Sequence, residues 1–431
     1  MSKIENCKVN KYINDVCKLI KNKKVHPEIK EELLSHINDI IEDYLEIGLS
    51  LDDATDKALI QMGNSEVIGH DLNKAHKSNS DWILLITTMA LLSFGFLTTT
   101  FLQLSNFNNN YINYIGKLII FLVISIGFSL FILKLDYRNL KKYSFKLYLI
   151  TISLILITIL FAPSINGIRH WLIIGPSSID VLSLSPVLLI ISLCGIFDNY
   201  NWCNKKSLFK GVSLAFIPII LFLSLSSLST IFIYLISVFT IMYLSGFKLK
   251  YIVIISGGLC LSLLLFICQA SYRIHSLFAF LNPTKNIDTT GWIYNQLNIL
   301  RSSAGLFSSG SYINDYMLPN ANMEFALTSI IYCFGWIVGI IVIALVLSFI
   351  IRIGFISKNT KNNYGKLLVS GLCALFAVQF LLNILYNFSL CPVVGINMPF
   401  ISYGGTQLII NVISISIINN VYKFRNVSSN F

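Results

Sequence analysis

Carboxylates are what this chain has least of. After residue 80 only seven Asp or Glu remain, against 21 Lys or Arg. Charged residues of both signs make up 12% of the sequence and hydrophobic ones 55%, with a mean hydropathy of +0.71. Soluble domains carry about a quarter of their residues as charges, so an ordinary water-soluble enzyme is excluded. The nine cysteines include no C-x-x-C pair and no metal-like His/Cys spacing. Neither a disulfide framework nor a zinc site is indicated. No signal peptide is expected ahead of the apolar region, because residues 1–80 are polar and charged.

What is present is a series of apolar runs long enough to cross a hydrocarbon core. Ten are read, over 82–103, 115–134, 147–164, 181–197, 208–224, 229–245, 251–270, 323–351, 366–388 and 400–421. Of the 21 basic residues beyond residue 80, 16 fall on alternate links, from Lys134–Lys146 through Lys205–Lys210, Lys248–Lys250 and Arg352–Lys366 to Lys423–Arg425. Only Lys117, Arg169, Arg273, Lys285 and Arg301 fall on the other side. By the positive-inside rule the richer side is cytoplasmic and so are both termini. The excess positive charge is therefore a topology signal and not a nucleic-acid footprint. The expected fold is an all-α polytopic membrane protein of about ten transmembrane helices over residues 79–431. Its longest link, about 271–322, is an extracytoplasmic loop between the seventh and eighth spans.

Residues 1–78 read as a separate, soluble helical domain. Val9, Ile13, Val16, Cys17 and Ile20 form a helical stripe. Pro27 suits the start of a second helix that Gly48 ends. Ser50 caps a third, with Asp52 and Asp53 favourable in its first turn, and Gly63-Asn64 precedes a last short helix. The pattern Glu32-Leu-Leu-Ser-His36, Gly48-Leu-Ser-Leu-Asp-Asp-Ala54 and Met62-Gly63 resembles permease-prefix (HAAS-type) domains, which implies a regulatory or protein-binding role.

The link between the last two spans is unusual. Cys391-Pro-Val-Val-Gly-Ile-Asn-Met-Pro-Phe-Ile-Ser-Tyr-Gly-Gly405 holds two prolines and three glycines where a short polar turn would serve. Lipid cannot satisfy irregular backbone, so this stretch is buried in protein or lines a cavity. No Lys-Ser/Thr pattern of a phosphate-binding P-loop follows Gly404-Gly405, which suits a helix start. The stretch resembles the Pro-x-x-Gly-x-x-x-Pro-Phe-x-Ser-Tyr-Gly-Gly pattern of the SEDS family (the FtsW, RodA and SpoVE branches). Pro392, Gly395, Pro399, Phe400, Ser402, Tyr403, Gly404 and Gly405 meet every fixed position.

Four carboxylates fall on the outer side of this topology: Asp180, Asp288, Asp315 and Glu324. Glu324 stands at the start of the eighth span in Leu318-Pro-Asn-Ala-Asn-Met-Glu-Phe325. Two readings hold for it there. Partial desolvation makes it a stronger base, or it is an anion placed favourably at a helix N-terminus. The SEDS resemblance favours the first, since the family carries Leu-Pro-x-x-x-x-Asp-Phe with a catalytic Asp, and Glu324 occupies that position. Tyr272-Arg273, Phe280-Leu-Asn-Pro283, Gly291, Tyr294 and Gln296 also fit the family's upstream pattern, as do Gly167, Arg169 and Trp171. Departures accompany these matches: Tyr332 and Cys333 replace paired glutamates, Leu225–Thr230 replaces Gln-Pro-Asp-x-Gly-Thr, and Asp180-Val-Leu-Ser183 stands near the family's Gln-Pro-Ser-Glu.

The resemblance implies a glycosyltransferase that polymerises lipid II, with Glu324 as the base. Arg273, and behind it Arg169 and Lys285, are then the cations for the diphosphate. Gln296 and the Pro399, Ser402, Tyr403, Gly404 and Gly405 segment border the substrate groove. A divalent cation is an optional aid, a class B penicillin-binding protein the implied partner, and membrane lipid the surroundings. A catalytically altered scaffold and a lipid-linked sugar flippase are the alternatives.

Overall fold

The computed structural model describes residues 7–20, 26–75, 80–105, 114–164, 171–174, 177–268, 279–281, 291–308, 313 and 317–425. It divides into two compact units, one of residues 1–80 with 423–431 and one of residues 81–422.

In the first unit the helical stripe does what its period demands. Helices α1 (Cys7–Leu19), α2 (His26–Glu46), α3 (Leu51–Met62) and α4 (Ser65–Ala75) bury Val9, Ile13, Val16 and Cys17 with Ile29, Leu33, Ile37, Ile41, Ala54 and Ala58. Ser50 caps α3, its hydroxyl accepting from the Asp53 N–H at 3.2 Å. Gly63 ends α3 at φ 89° and its carbonyl accepts from the Tyr12 hydroxyl at 2.9 Å.

The second unit is a bundle of mostly apolar helices. They are α5 (Trp82–Ser105), α6 (Tyr114–Lys134), the short α7 (Arg138–Lys142), α8 (Ser144–Phe161), α9 (Val181–Phe197), α10 (Lys205–Ser224), α11 (Leu228–Leu244) and α12 (Leu249–Cys268). Then come α13 (Trp292–Ser303), α14 (Ala326–Phe334), α15 (Trp336–Lys358), α16 (Asn363–Asn387) and α17 (Gly405–Lys423). Among the described residues six of these, α5, α6, α8, α10, α15 and α16, are each long and apolar enough to cross a membrane. With the shorter apolar helices they make a multi-pass, mostly helical membrane fold. Of the six, α16 is the most buried and α6 the least.

Two details depart from the sequence reading. Residues 323–351 do not form one helix. Gly335, at φ 92°, separates α14 from α15. A side chain there would fall 2.6 Å from the Leu306 carbonyl oxygen. That close approach lets the Gly305 and Leu306 carbonyls accept from the first N–H groups of α15, on Trp336 at 3.0 Å and Ile337 at 3.2 Å. The link before α9 also folds, as an antiparallel hairpin of β1 (Trp171–Ile174) and β2 (Ser177–Asp180) that pairs Trp171 with Asp180. Alternation over so few residues is too weak a signal to announce it.

The end of the bundle that carries the 134–146 and 352–366 links is tied by ion pairs. Asp198 meets Lys141 at 2.5 Å and accepts from Asn363 at 2.8 Å. Asp81, fully buried, meets Arg352 at 2.7 Å, accepts from the Leu84 N–H at 2.9 Å, and its own N–H donates to Asn419 at 2.8 Å. Removing one member of such a pair strands the other charge. Asp81→Ala should lower the unfolding free energy of the detergent-solubilised chain by about 1–3 kcal/mol, since Arg352 is partly exposed. Asp81→Ala with Arg352→Met should cost less than the single change; a larger loss for the double variant would contradict the pairing account.

Candidate functional site

At the opposite end of the bundle, residues 392–398 between α16 and α17 have no regular secondary structure, and Ile396, Met398, Pro399, Phe400, Ile401 and Ser402 are buried. Their backbone groups find partners inside the protein, as burial requires. The Val393 N–H donates to the Tyr294 hydroxyl at 2.9 Å, and the Val394 carbonyl accepts from Ser229. The Ile396 carbonyl accepts from Asn383 at 2.7 Å and shares the single Tyr386 hydroxyl proton with the Glu324 carbonyl. The Met398 N–H donates to the Ser402 hydroxyl at 2.8 Å.

The turn that carries Glu324 is held by the same groups. Four successive carbonyls are taken: Ala321 by the Ser329 hydroxyl at 2.8 Å, Asn322 by the Tyr403 N–H at 2.8 Å, and Met323 by the Ser402 hydroxyl at 2.5 Å. The fourth, Glu324, accepts from Asn383 at 3.0 Å, Tyr386 at 3.0 Å and Asn387 at 3.2 Å. Asn387 is itself oriented, because its side-chain oxygen Oδ1 accepts from the Thr328 hydroxyl at 2.8 Å and the Thr328 N–H at 3.2 Å. The main chain at Glu324 is thus fixed on three sides. Its carboxylate, by contrast, has no hydrogen-bond partner among the described residues and lies beside Gly395. That glycine is exposed, at φ 66°, and a side chain on it would come 3.5 Å from Glu324 Oε1.

Burial of the Glu324 carboxyl, in the turn ahead of α14 and outside the spanning helices, pushes its pKa above the ordinary glutamate value. Backbone strain gathers at the same place. Asn320, Ser389 and Phe400 all have positive φ, at 56°, 60° and 66°, and strain of this kind persists where surrounding structure over-determines it. Phe400 is held by Phe349 and Phe376, whose ring centroids lie 5.5 and 5.6 Å away.

Of the residues singled out from the sequence, Glu324, Pro399, Ser402 and Tyr403 come together here. Ser402 spends its hydroxyl on Met323 and Met398, and Tyr403 its N–H on Asn322, with its ring edge-on to Tyr114 at 4.8 Å. Gly404 precedes α17. Gly405 opens it against the Phe121 ring, which would lie 2.3 Å from any Cβ. Gln296 is half-buried on α13, the helix of Tyr294. Asp180 caps α9 through the Ser183 N–H at 3.1 Å and its own N–H donates to Thr406 at 3.3 Å. Arg273, Arg169 and Lys285 lie outside the described residues. No group of three or more His, Cys, Asp or Glu side chains gathers as a metal site among the described residues.

The sequence reading did not single out Asn383, Tyr386 and Asn387. Their signal was available: three polar side chains at i, i+3 and i+4 on one face of an apolar helix, where an uncompensated amide is costly.

A raised carboxyl pKa favours the fold below the ordinary glutamate range and costs stability as pH rises through the raised value. Glu324→Gln should therefore melt higher than the parent near pH 8, and the difference should vanish towards about pH 4. An unchanged or lower melting temperature at pH 8 would contradict a buried, unpaired carboxylate. The Phe400–Ile401 backbone also rests on α5, since a Cβ on Gly95 would lie 2.6 Å from the Phe400 oxygen. Gly95→Ala should speed amide exchange over 398–403, while Gly127→Ala, with nothing within 4 Å, should leave it unchanged. Equal protection in both variants would contradict the contact.

Comparison with known proteins agrees with this architecture. The FtsW/RodA/SpoVE family profile, described as a cell cycle protein, matches residues 81–427. A probable peptidoglycan glycosyltransferase FtsW of Idiomarina loihiensis is 25% identical over 358 residues, covering 80% of this chain and 87% of that one. The Coxiella burnetii protein of the same name is 26% identical over 366 residues, covering 80% and 96%. Among solved structures, one from a study of polymerization and crosslinking by a peptidoglycan synthase complex superposes with a TM-score of 0.68 at 18% identity, covering 81% of this chain and 99% of that one. The rod shape determining protein RodA of Thermus thermophilus gives 0.61 at 18% identity, covering 81% and 98%. The chain belongs to the FtsW/RodA/SpoVE family.

Proposed function

We propose that this protein is a peptidoglycan glycosyltransferase that joins lipid II units into glycan, with Glu324 as its general base. The observation that carries the reading is Glu324 itself: a carboxylate desolvated enough to be basic, unpaired, facing a glycine, on a main chain held by four captured carbonyls. Positioning of this kind is what a transfer between two bound substrates needs. The names of the relatives supply the substrate class.

In the reaction the acceptor sugar's 4-hydroxyl attacks the anomeric carbon of the donor. The new C–O bond forms as the bond to the diphosphate oxygen breaks, and the leaving diphosphate keeps the electron pair. Glu324 takes the hydroxyl proton. One base and direct displacement invert an α-linked donor into a β-linked chain.

The charge distribution supports an orientation in which the Glu324 end faces outward and the basic end, both termini and the helical prefix face the cytoplasm. Lipid-linked sugar then reaches Glu324 from the outer leaflet. The structural likeness to a component of a peptidoglycan synthase complex supports a class B penicillin-binding protein as partner. In the prefix, the resemblance to permease-prefix domains supports a regulatory or protein-binding role.

The test is glycan synthesis from lipid II by the purified full-length chain, alone and with a co-purified penicillin-binding partner. The parent should make glycan, Glu324→Gln should lose about a hundredfold or more in rate, and Glu324→Asp should retain part of it. Equal product from the parent and Glu324→Gln would sink Glu324 as the base. No product from the parent under either condition would remove the enzyme and leave the scaffold.

A further inference from the structure

Arg301 is half-buried near the C-terminus of α13, and its contacts among the described residues are neutral. Its Nε donates to the Leu297 carbonyl at 3.2 Å, and its Nη2 donates to Asn298 and, at 3.3 Å, to the Ser389 hydroxyl. The guanidinium sits 5.2 Å above the Phe388 ring. That ring packs on Trp336, whose indole N–H donates back to the Arg301 carbonyl at 3.3 Å. The plane of the guanidinium is therefore fixed, while Nη1 keeps two N–H donors without a partner among the described residues. Other arginines in the bundle are matched: Arg352 by Asp81 and Arg138 by Asp136. Among the described residues no carboxylate meets Arg301.

Position adds to this. Ser389 lies two residues beyond Asn387, which donates to the Glu324 carbonyl. Seven residues earlier on α13, Tyr294 takes the Val393 N–H. The helix is thus fastened at both ends of the segment 389–393, so the guanidinium is held to the chain that begins the Glu324 site. The C-terminal dipole of α13 offsets part of the charge. It does not account for a guanidinium plane held by Ser389 and Phe388. A cation removed from water, oriented and unpaired is suited to an anion that arrives, and the planar fork of arginine matches phosphate oxygens.

We propose that Arg301 binds the diphosphate of a polyprenyl-linked substrate at the Glu324 site. The assignment rests on the glycosyltransferase reading and adds to it a residue that the sequence reading used only for topology. As the sugar–oxygen bond breaks, the electron pair stays on the diphosphate oxygen, and the guanidinium offsets that added charge. Phe388 and Ser389 are positioning residues, acting through Arg301.

The experiment measures binding, without turnover, to the full-length chain in phosphatidylcholine nanodiscs. Its probes are geranylgeranyl diphosphate and the uncharged geranylgeraniol. Arg301→Met should weaken diphosphate binding about tenfold to a hundredfold while leaving alcohol binding at the parent value. Arg301→Lys should fall between, and it keeps the test in force where Arg301→Met does not fold. An unchanged diphosphate affinity in Arg301→Met overturns the proposal, and so does equal loss of both probes with a lowered melting temperature. Displacement of the diphosphate by phosphatidylglycerol at matched concentration also overturns it, by making Arg301 a headgroup anchor. The two readings separate cleanly. A parent that makes no glycan yet binds diphosphate through Arg301 removes the enzyme and keeps the site. Glycan made by Arg301→Met at the parent's KM for lipid II removes Arg301 alone.

Discussion

Four consecutive carbonyl oxygens, from Ala321 to Glu324, must find donors away from water, and the Glu324 end of the bundle is organised around supplying them. A buried carbonyl left unpaired costs about 1–3 kcal/mol, so a turn of this kind cannot stand without dedicated partners. They come from three places far apart in sequence: Ser329 on α14, Ser402 and Tyr403 in the irregular segment, and Asn383, Tyr386 and Asn387 on α16. Two of these α16 side chains, Asn383 and Tyr386, also take the Ile396 carbonyl. The turn and the irregular segment are therefore stabilised together, and neither is expected to keep its shape without the other.

That mutual dependence accounts for features that would otherwise be liabilities. Phe400 holds a left-handed backbone because its ring is fixed between Phe349 and Phe376. Glu324 keeps a desolvated carboxyl because its main chain is anchored while its side chain is not. Both cost stability locally, and the Glu324 carboxyl brings a basic oxygen beside Gly395. A stiff main chain under an unpaired carboxylate fits a group that must meet a substrate proton and not a protein partner.

Much of this was legible in the sequence, though unevenly. The apolar runs located the membrane helices, because a hydrocarbon core leaves little freedom in their length. The prolines and glycines of 391–405 announced irregular backbone, and the scarcity of carboxylates left four outer candidates, from which the SEDS resemblance selected Glu324. What the sequence hid depends on tertiary partners. Gly335 looked like one more small residue within an apolar run, until Gly305 and Leu306 were seen to cap the helix that follows it. Ser402 stood out as part of a motif, but its bond to Met323 crosses 79 positions of sequence. Asn383 and Asn387 carried a readable helical spacing whose target, a carbonyl 59 and 63 positions away, no local pattern specifies.

The central claim is that Glu324 acts as a base from a desolvated, main-chain-anchored position. The pH dependence of glycan synthesis from lipid II, at limiting substrate, addresses it most directly. The account predicts an acid limb whose midpoint lies above the ordinary glutamate range of about 4.3, with activity falling as pH drops through it, and loss of that limb in whatever activity Glu324→Gln retains. A limb at the ordinary glutamate value, or one that persists unchanged in Glu324→Gln, would contradict it.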